Sequence, residues 1–234
     1  MWFVTSQKNG TSALGVQRVL GLGSYKTAWA LLHKLRRAMV RPGRDRLYGS
    51  VEVDEAYWGG EEEGVAGRLT EDKALIAVAA EVDGKGIGRI RLRRIADTTK
   101  VSLHGFIAES IESGSTVRTD GLNSYLGLVG YIHDRQVQRR QPEGEHLLPR
   151  VHRVISLLKR WMLGTHQGAI GHEHLDYYLD EFTFRFNRRT SRHRGKLFYR
   201  LVEQALAVGP APYTSLVKHV SSGRQHQRRQ HHHN

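Results

Sequence analysis

The chain contains no cysteine. Disulfides and thiolate zinc sites are therefore excluded, and the absence accords with a reducing cytoplasm. No stretch approaches roughly 18 consecutive apolar residues, so no membrane-spanning helix is expected. The opening residues, Met1 to Lys8, lack the apolar core of a signal peptide. Acidic residues are scarce relative to basic ones. Asp and Glu number 23 against 36 Lys and Arg, giving a formal net charge of +13. A field of that sign favours a polyanion, nucleic acid before an anionic membrane surface. Apolar residues fill 39% of the 234 positions, which supports one large domain or one domain with a small appendage.

Apolar periodicity divides the chain into three parts. Residues 1–44 are expected to be helical. Leu14, Val19 and Leu20 form a short apolar stripe that ends at Gly21. Ser24 is placed to cap a second helix, in which Ala28, Leu31, Leu32, Leu35 and Met39 recur at helical spacing. Helix, glycine turn and helix give the outline of a helix-turn-helix, and an ordinary helical hairpin fits as well. Lys26, His33, Lys34, Arg36 and Arg37 give the second helix a basic face. Residues 45–208 read as one mixed α/β domain. Strands are expected over 47–57, 74–82, 87–95, 116–119 and 131–137, and helices over 101–111, 150–165 and 172–188. The run from Ala74 to Val82 is nearly all apolar, as in a strand covered on both faces. Arg139, Arg140, Pro142 and Gly144 indicate a loop over 135–150. Residues 209–234 form a basic tail, polar and His-rich from Ser221, with no expected fold.

Two aspartates stand where predicted strands end. Asp54 closes Val51-Glu52-Val53-Asp54, and Asp120 closes Thr116-Val117-Arg118-Thr119-Asp120. Strand ends are common sites of function in α/β folds. Carboxylates are the hard ligands that Mg²⁺ prefers, and two metal ions roughly 3.5–4 Å apart can cleave a phosphodiester. Taken singly, either residue also fits a turn, Asp120-Gly121 above all. On the helix that follows, Lys159 lies two turns beyond His152, so both project from one face. By themselves they also fit a solvated helix surface. The densest basic stretch runs from Phe182 to Leu201 without an acidic residue. It holds Arg185, Arg188, Arg189, Arg192, Arg194, Lys196 and Arg200, interleaved with Phe182, Phe184, Phe186, Phe198 and Tyr199. The cations suit a nucleic-acid backbone, whereas the aromatics suit a core.

Together these segments resemble a known family. Val51-Glu52-Val53-Asp54-Glu55-Ala56-Tyr57-Trp58-Gly59-Gly60, Thr119-Asp120-Gly121, Ser156-Leu157-Leu158-Lys159-Arg160 and the run from Glu173 to Arg189 are similar to bacterial insertion-sequence transposases with the ISXO-like DDE domain. The resemblance extends from about residue 2 to about 206. It implies an RNase H-like sheet flanked by helices, binding Mg²⁺ or Mn²⁺, cutting transposon ends and joining them to target DNA. Asp54 and Asp120 match the first two catalytic and metal-binding positions, and Lys159 matches the lysine two turns after the third. The family usually carries Glu or Asn at that third position; here His152 stands there, a ligand better suited to Mn²⁺ or Zn²⁺ than to Mg²⁺. Relatives also begin with a Cys-rich zinc ribbon that this chain, without cysteine, does not contain. DNA contacts are expected from Lys26, Lys34, Arg36 and Arg37, and from Arg160, Arg185, Arg188, Arg189, Arg192, Arg194 and Lys196. A homodimer on DNA, in the bacterial nucleoid, follows from the same resemblance. The alternatives are a decayed or repurposed transposase that only binds DNA, a nuclease on the same fold, and a basic RNA-associated protein.

Overall fold

The computed structural model describes residues 1–41, 43–59, 73–137, 147–168 and 170–217, without the side chain of Arg194. Gly60 of the first motif, the predicted loop at Arg139 to Gly144 and the tail from Ser221 lie outside the described residues.

The centre is a five-stranded sheet of β1 (Ser50–Trp58), β2 (Ala74–Asp83), β3 (Gly86–Ile95), β4 (Thr116–Thr119) and β5 (Ile132–Arg135). Their order is β3-β2-β1-β4-β5. The pairs β1–β2 and β2–β3 are antiparallel, whereas β4 runs parallel to β1 and β5 parallel to β4. Side chains alternate between faces along each strand. Val51 and Val53 point to one face, where α4 (Lys100–Ser110) packs Leu103, Phe106 and Ile107 against them. Across the other face lie α5 (Pro149–His166) and α6 (Leu175–Phe186). Val151, Val154, Leu158 and Met162 of α5 recur at helical spacing and are all buried there. Covered on both faces, β2 is apolar throughout its first seven residues, as its sequence predicted.

Three N-terminal helices, α1 (Trp2–Ser6), α2 (Ala13–Leu20) and α3 (Tyr25–Ala38), close over α6 and α7 (Arg194–Ala207). Val16, Ala28, Leu32 and Leu35 pack there with Phe184, Leu197 and Leu201. Phe184 therefore serves this core while Phe182 and Phe186 serve the sheet core, which assigns all three phenylalanines to packing. The last described helix is α8 (Tyr213–Val217).

Several expectations for this region change. Leu14, Val19 and Leu20 are exposed; α2 buries Ala13 and Val16 instead. Ser24 sits at the start of α3 but its hydroxyl caps nothing, and Ser12 does that work for α2, accepting from Gly15 N at 3.1 Å. Gly21 ends α2 in the left-handed region, φ 61°, where glycine meets least resistance. Helices α7 and α8 have no counterpart in the sequence prediction, and α8 lies in the tail for which no fold was expected, with Leu216 buried. The charge of residues 182–201 masks the i,i+4 pair Leu197 and Leu201 that drives α7 inward.

Candidate active site

The register of β1 with β4 builds the site. Ser50 pairs with Thr116 and Glu52 with Arg118. Two residues further along, Asp54 lies in the middle of β1, not at the strand end expected for it, and Asp120 lies just past the end of the neighbouring strand β4. Alternation sends Asp54 to the same face as Glu52, the face on which α5 lies. The Asp54 carboxylate accepts from the Glu55 backbone N–H at 2.8 Å and meets His152 Nε2 at 3.0 Å. Burial pushes the Asp54 carboxyl above its ordinary value. The Glu55 N–H and His152 oppose this, and the Asp120 carboxylate adds to it. Two like charges thus crowd one spot, the arrangement a cation would relieve.

Asp120 Oδ1 also accepts from Leu122 N at 2.9 Å. It is both the predicted turn residue and a member of the pair. Behind the aspartates, the buried Tyr125 hydroxyl donates to Glu55 Oε2 at 2.6 Å. Burial and the Glu55 carboxylate, then Asp54 and Asp120, raise the Tyr125 pKa well above the usual phenol range. Tyr125 therefore stays a neutral donor, and it was not anticipated from sequence.

A second unanticipated residue is Glu52. Its side chain is fully buried. Oε2 accepts from the backbone N–H of Arg150 at 2.7 Å and of Val151 at 3.0 Å, and the Arg150 guanidinium reaches Oε1 at 3.3 Å. These are first-turn donors of α5, which lack partners within the helix. Glu52 acts as a cap supplied by β1, and a carboxylate there also complements the helix dipole. Because Glu52 and Asp54 share a strand and a face, the cap fixes α5 over Asp54 and presents His152 to it. An alternating apolar strand with an internal Glu two residues before the Asp was the available signal.

Along α5, His152, Ser156 and Lys159 are exposed on one face, and Arg160 is exposed beside them. The predicted link between His152 and Lys159 thus has its helical geometry. Of the cations expected to meet DNA, Lys26, Lys34 and Arg37 are exposed on α3, as are Arg189, Arg192 and Lys196 further on. Arg188 is half-buried, and its guanidinium lies 4.1 Å over the Phe184 ring. Arg189 donates to backbone carbonyls of β3. Arg36 and Arg185 need correction. The Arg36 side chain is 2% exposed and lies 2.7 Å from Glu181 Oε2. Arg185 binds the other oxygen of Glu181 and also donates to Val4 O and Gln7 O. Both belong to the interior because Glu181, one residue before the basic stretch, gives them a buried counter-ion. His33 is likewise buried and leaves the basic face predicted for α3.

Divalent ions serve the chemistry implied by the resemblance, and the donor set bears on whether one would fit. Asp54 and Asp120 supply hard oxygen donors that repel each other, and one or two carboxylates suffice for Mg²⁺ beside substrate phosphate. Among the described residues, no group of three or more His, Asp or Glu side chains is gathered closely enough to hold a metal. The His152 ring nitrogen is engaged by Asp54. The residues therefore fit a two-carboxylate site.

The sheet order with its three antiparallel strands followed by two parallel ones, helices on both faces, and an acidic pair in β1 and just past β4 define an RNase H-like α/β protein. A model of the ISXO2-like transposase domain matches residues 46–187. The chain belongs to that family. No curated relative matches it. Among solved structures, a chain described as "CryoEM structure of simian T-cell lymphotropic virus intasome in complex with PP2A regulatory subunit B56 gamma" is similar at 13% identity and a TM-score of 0.38, covering 90% of this chain and 74% of that one.

Proposed function

We propose that this protein is a DDE-type DNA transposase in which Asp54 and Asp120 form the core of the strand-cutting site. The observation that carries the reading is the nearness of two carboxylates, Asp54 in β1 and Asp120 just past the parallel strand β4, inside the segment matched by the transposase family. A divalent ion, Mg²⁺ or Mn²⁺, held by these carboxylates would activate the attacking oxygen and stabilise the leaving one. His152 holds the Asp54 carboxylate in place through the 3.0 Å contact. Lys159 and Arg160, further along α5, bind phosphate next to the scissile bond. Lys26, Lys34 and Arg37 on α3, with Arg192 and Lys196, grip the backbone of transposon-end and target DNA. Two ends must be held for transposition, so a homodimer on DNA within the nucleoid belongs to the same proposal.

Nicking of supercoiled plasmid tests it, with Mg²⁺, Mn²⁺ or EDTA. Metal-dependent nicking is expected, with a fall of at least about 100-fold in Asp120→Asn, in line with losing a principal electrostatic group. Substituting His152 with Ala is expected to slow nicking less than this. Products joined covalently to target DNA would distinguish transposition from hydrolysis by a nuclease on the same fold. Intact DNA binding with no nicking in either metal would leave only a DNA-binding relative. That reading draws on one observation: a histidine, not a carboxylate, faces Asp54 from α5.

A further inference from the structure

Behind the acidic pair, a row of polar side chains holds the turn that carries Asp120. Strand β4 ends at Thr119, and its pairing with β5 ends there too, at Thr119 and Arg135. Asp120 therefore follows the ladder without belonging to it, and the direction of its carboxylate depends on what holds residues 119–123. Thr119 is fully buried. Its hydroxyl meets His133 Nε2 of β5 at 2.8 Å and donates to the Asp120 carbonyl at 3.1 Å. Two residues on, Arg135 donates to the Gly121 carbonyl and, at 3.0 Å, to Asn123 Oδ1. Within the turn, the Leu122 N–H donates to Asp120 Oδ1.

A hydroxyl has one proton to give and can also accept. Both Thr119 bonds hold at once when His133 donates from Nε2 to Oγ1 and Oγ1 donates onward to the Asp120 carbonyl. Burial, then Arg135, lowers the His133 pKa, so the ring is neutral at pH 7, and this row places its one proton on Nε2. Alternation puts Val117 and Thr119 on one face of β4. Val117 pairs with Val51 of β1 and with His133 of β5, so His133 and Arg135 share that face. It is the face opposite Glu52 and Asp54. Thr119 and His133 thus lie behind the acidic pair and act on its chemistry only through Asp120.

We propose that Thr119 and His133 are positioning residues that aim the Asp120 carboxylate at the site it shares with Asp54. The proposal rests on the reading of Asp120 as a metal-binding residue. Groups that orient a metal ligand from behind are worth roughly 10–100-fold in metal affinity or activity. A role in packing alone makes the opposite demand on Thr119. Valine has nearly the shape of threonine without the hydroxyl, whereas serine keeps the hydroxyl and leaves a methyl-sized gap in the core.

The test is Mn²⁺ binding to the full chain without DNA, read by electron paramagnetic resonance of the free ion, with plasmid nicking across a Mn²⁺ series beside it. Thr119→Val, Thr119→Ser, His133→Ala and Asp120→Asn are compared with the parent, and a thermal melt confirms that each is folded. Thr119→Val is expected to bind Mn²⁺ about 10-fold more weakly and to need correspondingly more of it for half-maximal nicking. Thr119→Ser should stay close to the parent in both. Parent-like binding and nicking in a folded Thr119→Val protein would overturn the positioning role and leave the transposase reading in place. Thr119→Ser impaired as much as Thr119→Val would also overturn it, by tracing the effect to packing. Should Thr119→Val fail the melt, His133→Ala carries the same expectation, and parent-like behaviour there would overturn the role. Mn²⁺ binding unchanged in Asp120→Asn, or a parent that neither binds Mn²⁺ nor nicks, would overturn the metal role of Asp120 and this inference with it.

Discussion

Single residues decide how the charge of this chain is used. Glu181 is fully buried, and burial alone would raise its pKa. The Arg36 and Arg185 guanidiniums outweigh that and hold it at about 2. Removing one member of such a group strands the others without compensation. Glu181→Ala is therefore expected to cost about 3–5 kcal/mol in urea unfolding, far above an exposed change such as Lys34→Ala, at about 0.5 kcal/mol or less. Equal costs for the two would refute the buried role. Gly10 belongs to the same cluster. At φ +81° it sits where a Cβ would come within 2.7 Å of Glu181 Oε1, so even Ala there is strained. Counting charges along the sequence identifies a basic stretch but not which of its arginines face inward. That depended on an acid from a different turn of α6 and on the approach of α3.

At the scale of elements, one strand and one helix set the site. Glu52 of β1 caps α5 two residues before Asp54, so the position of His152 and Lys159 is transmitted through that cap. Glu52→Ala leaves two first-turn N–H groups without their acceptor, with an expected loss of about 1–3 kcal/mol. A shift of α5 by about 1 Å is enough to slow nicking roughly 100-fold. Glu52→Gln keeps one acceptor oxygen and should recover part of both. Parent-like nicking by a folded Glu52→Ala protein would dismiss the positioning role. A similar clamp joins α6 to the sheet edge. Ile90 N donates to Asn187 Oδ1 at 2.7 Å, and Asn187 Nδ2 donates to Ile90 O at 3.2 Å. This satisfies an edge strand that would otherwise offer unpaired groups. It gives the Glu173–Arg189 motif a structural reason.

Across the whole molecule, several buried groups tie stability to pH. Burial, helped by Arg36, brings His33 to about 2 and His166 to about 4. Both bind protons in the unfolded chain near pH 6.5 but not in the folded one. Their contribution is thus complete above about pH 6.5 and is lost as pH falls toward those values. Glu181, held at about 2, acts with the same sign below about 4.5, its ordinary value. Asp180, pushed up to about 7 by burial, has the opposite sign: its contribution is present below about 3.8 and is lost as pH rises through 7. Two histidines outweigh one aspartate between pH 6.5 and 4.5, so Tm should fall steadily as pH drops across that range. His166→Phe should flatten the fall. A Tm that rises over the same range would contradict the placement of these histidines.

Sequence by itself determined the fold class and the order of strands and helices from β1 to α6, and it singled out Asp54 and Asp120 as candidates. Those depend on local signals: alternation in strands, helical spacing of apolar residues, and acids that follow apolar runs. Tertiary structure decided the rest. It brought Asp120, just past β4, near Asp54 in the middle of β1, and it set the cap from Glu52 to α5 and the burial of Arg36 and Arg185. Each of these joins residues far apart along the chain, and whether a charge lies in water or against a counter-ion depends on what packs around it.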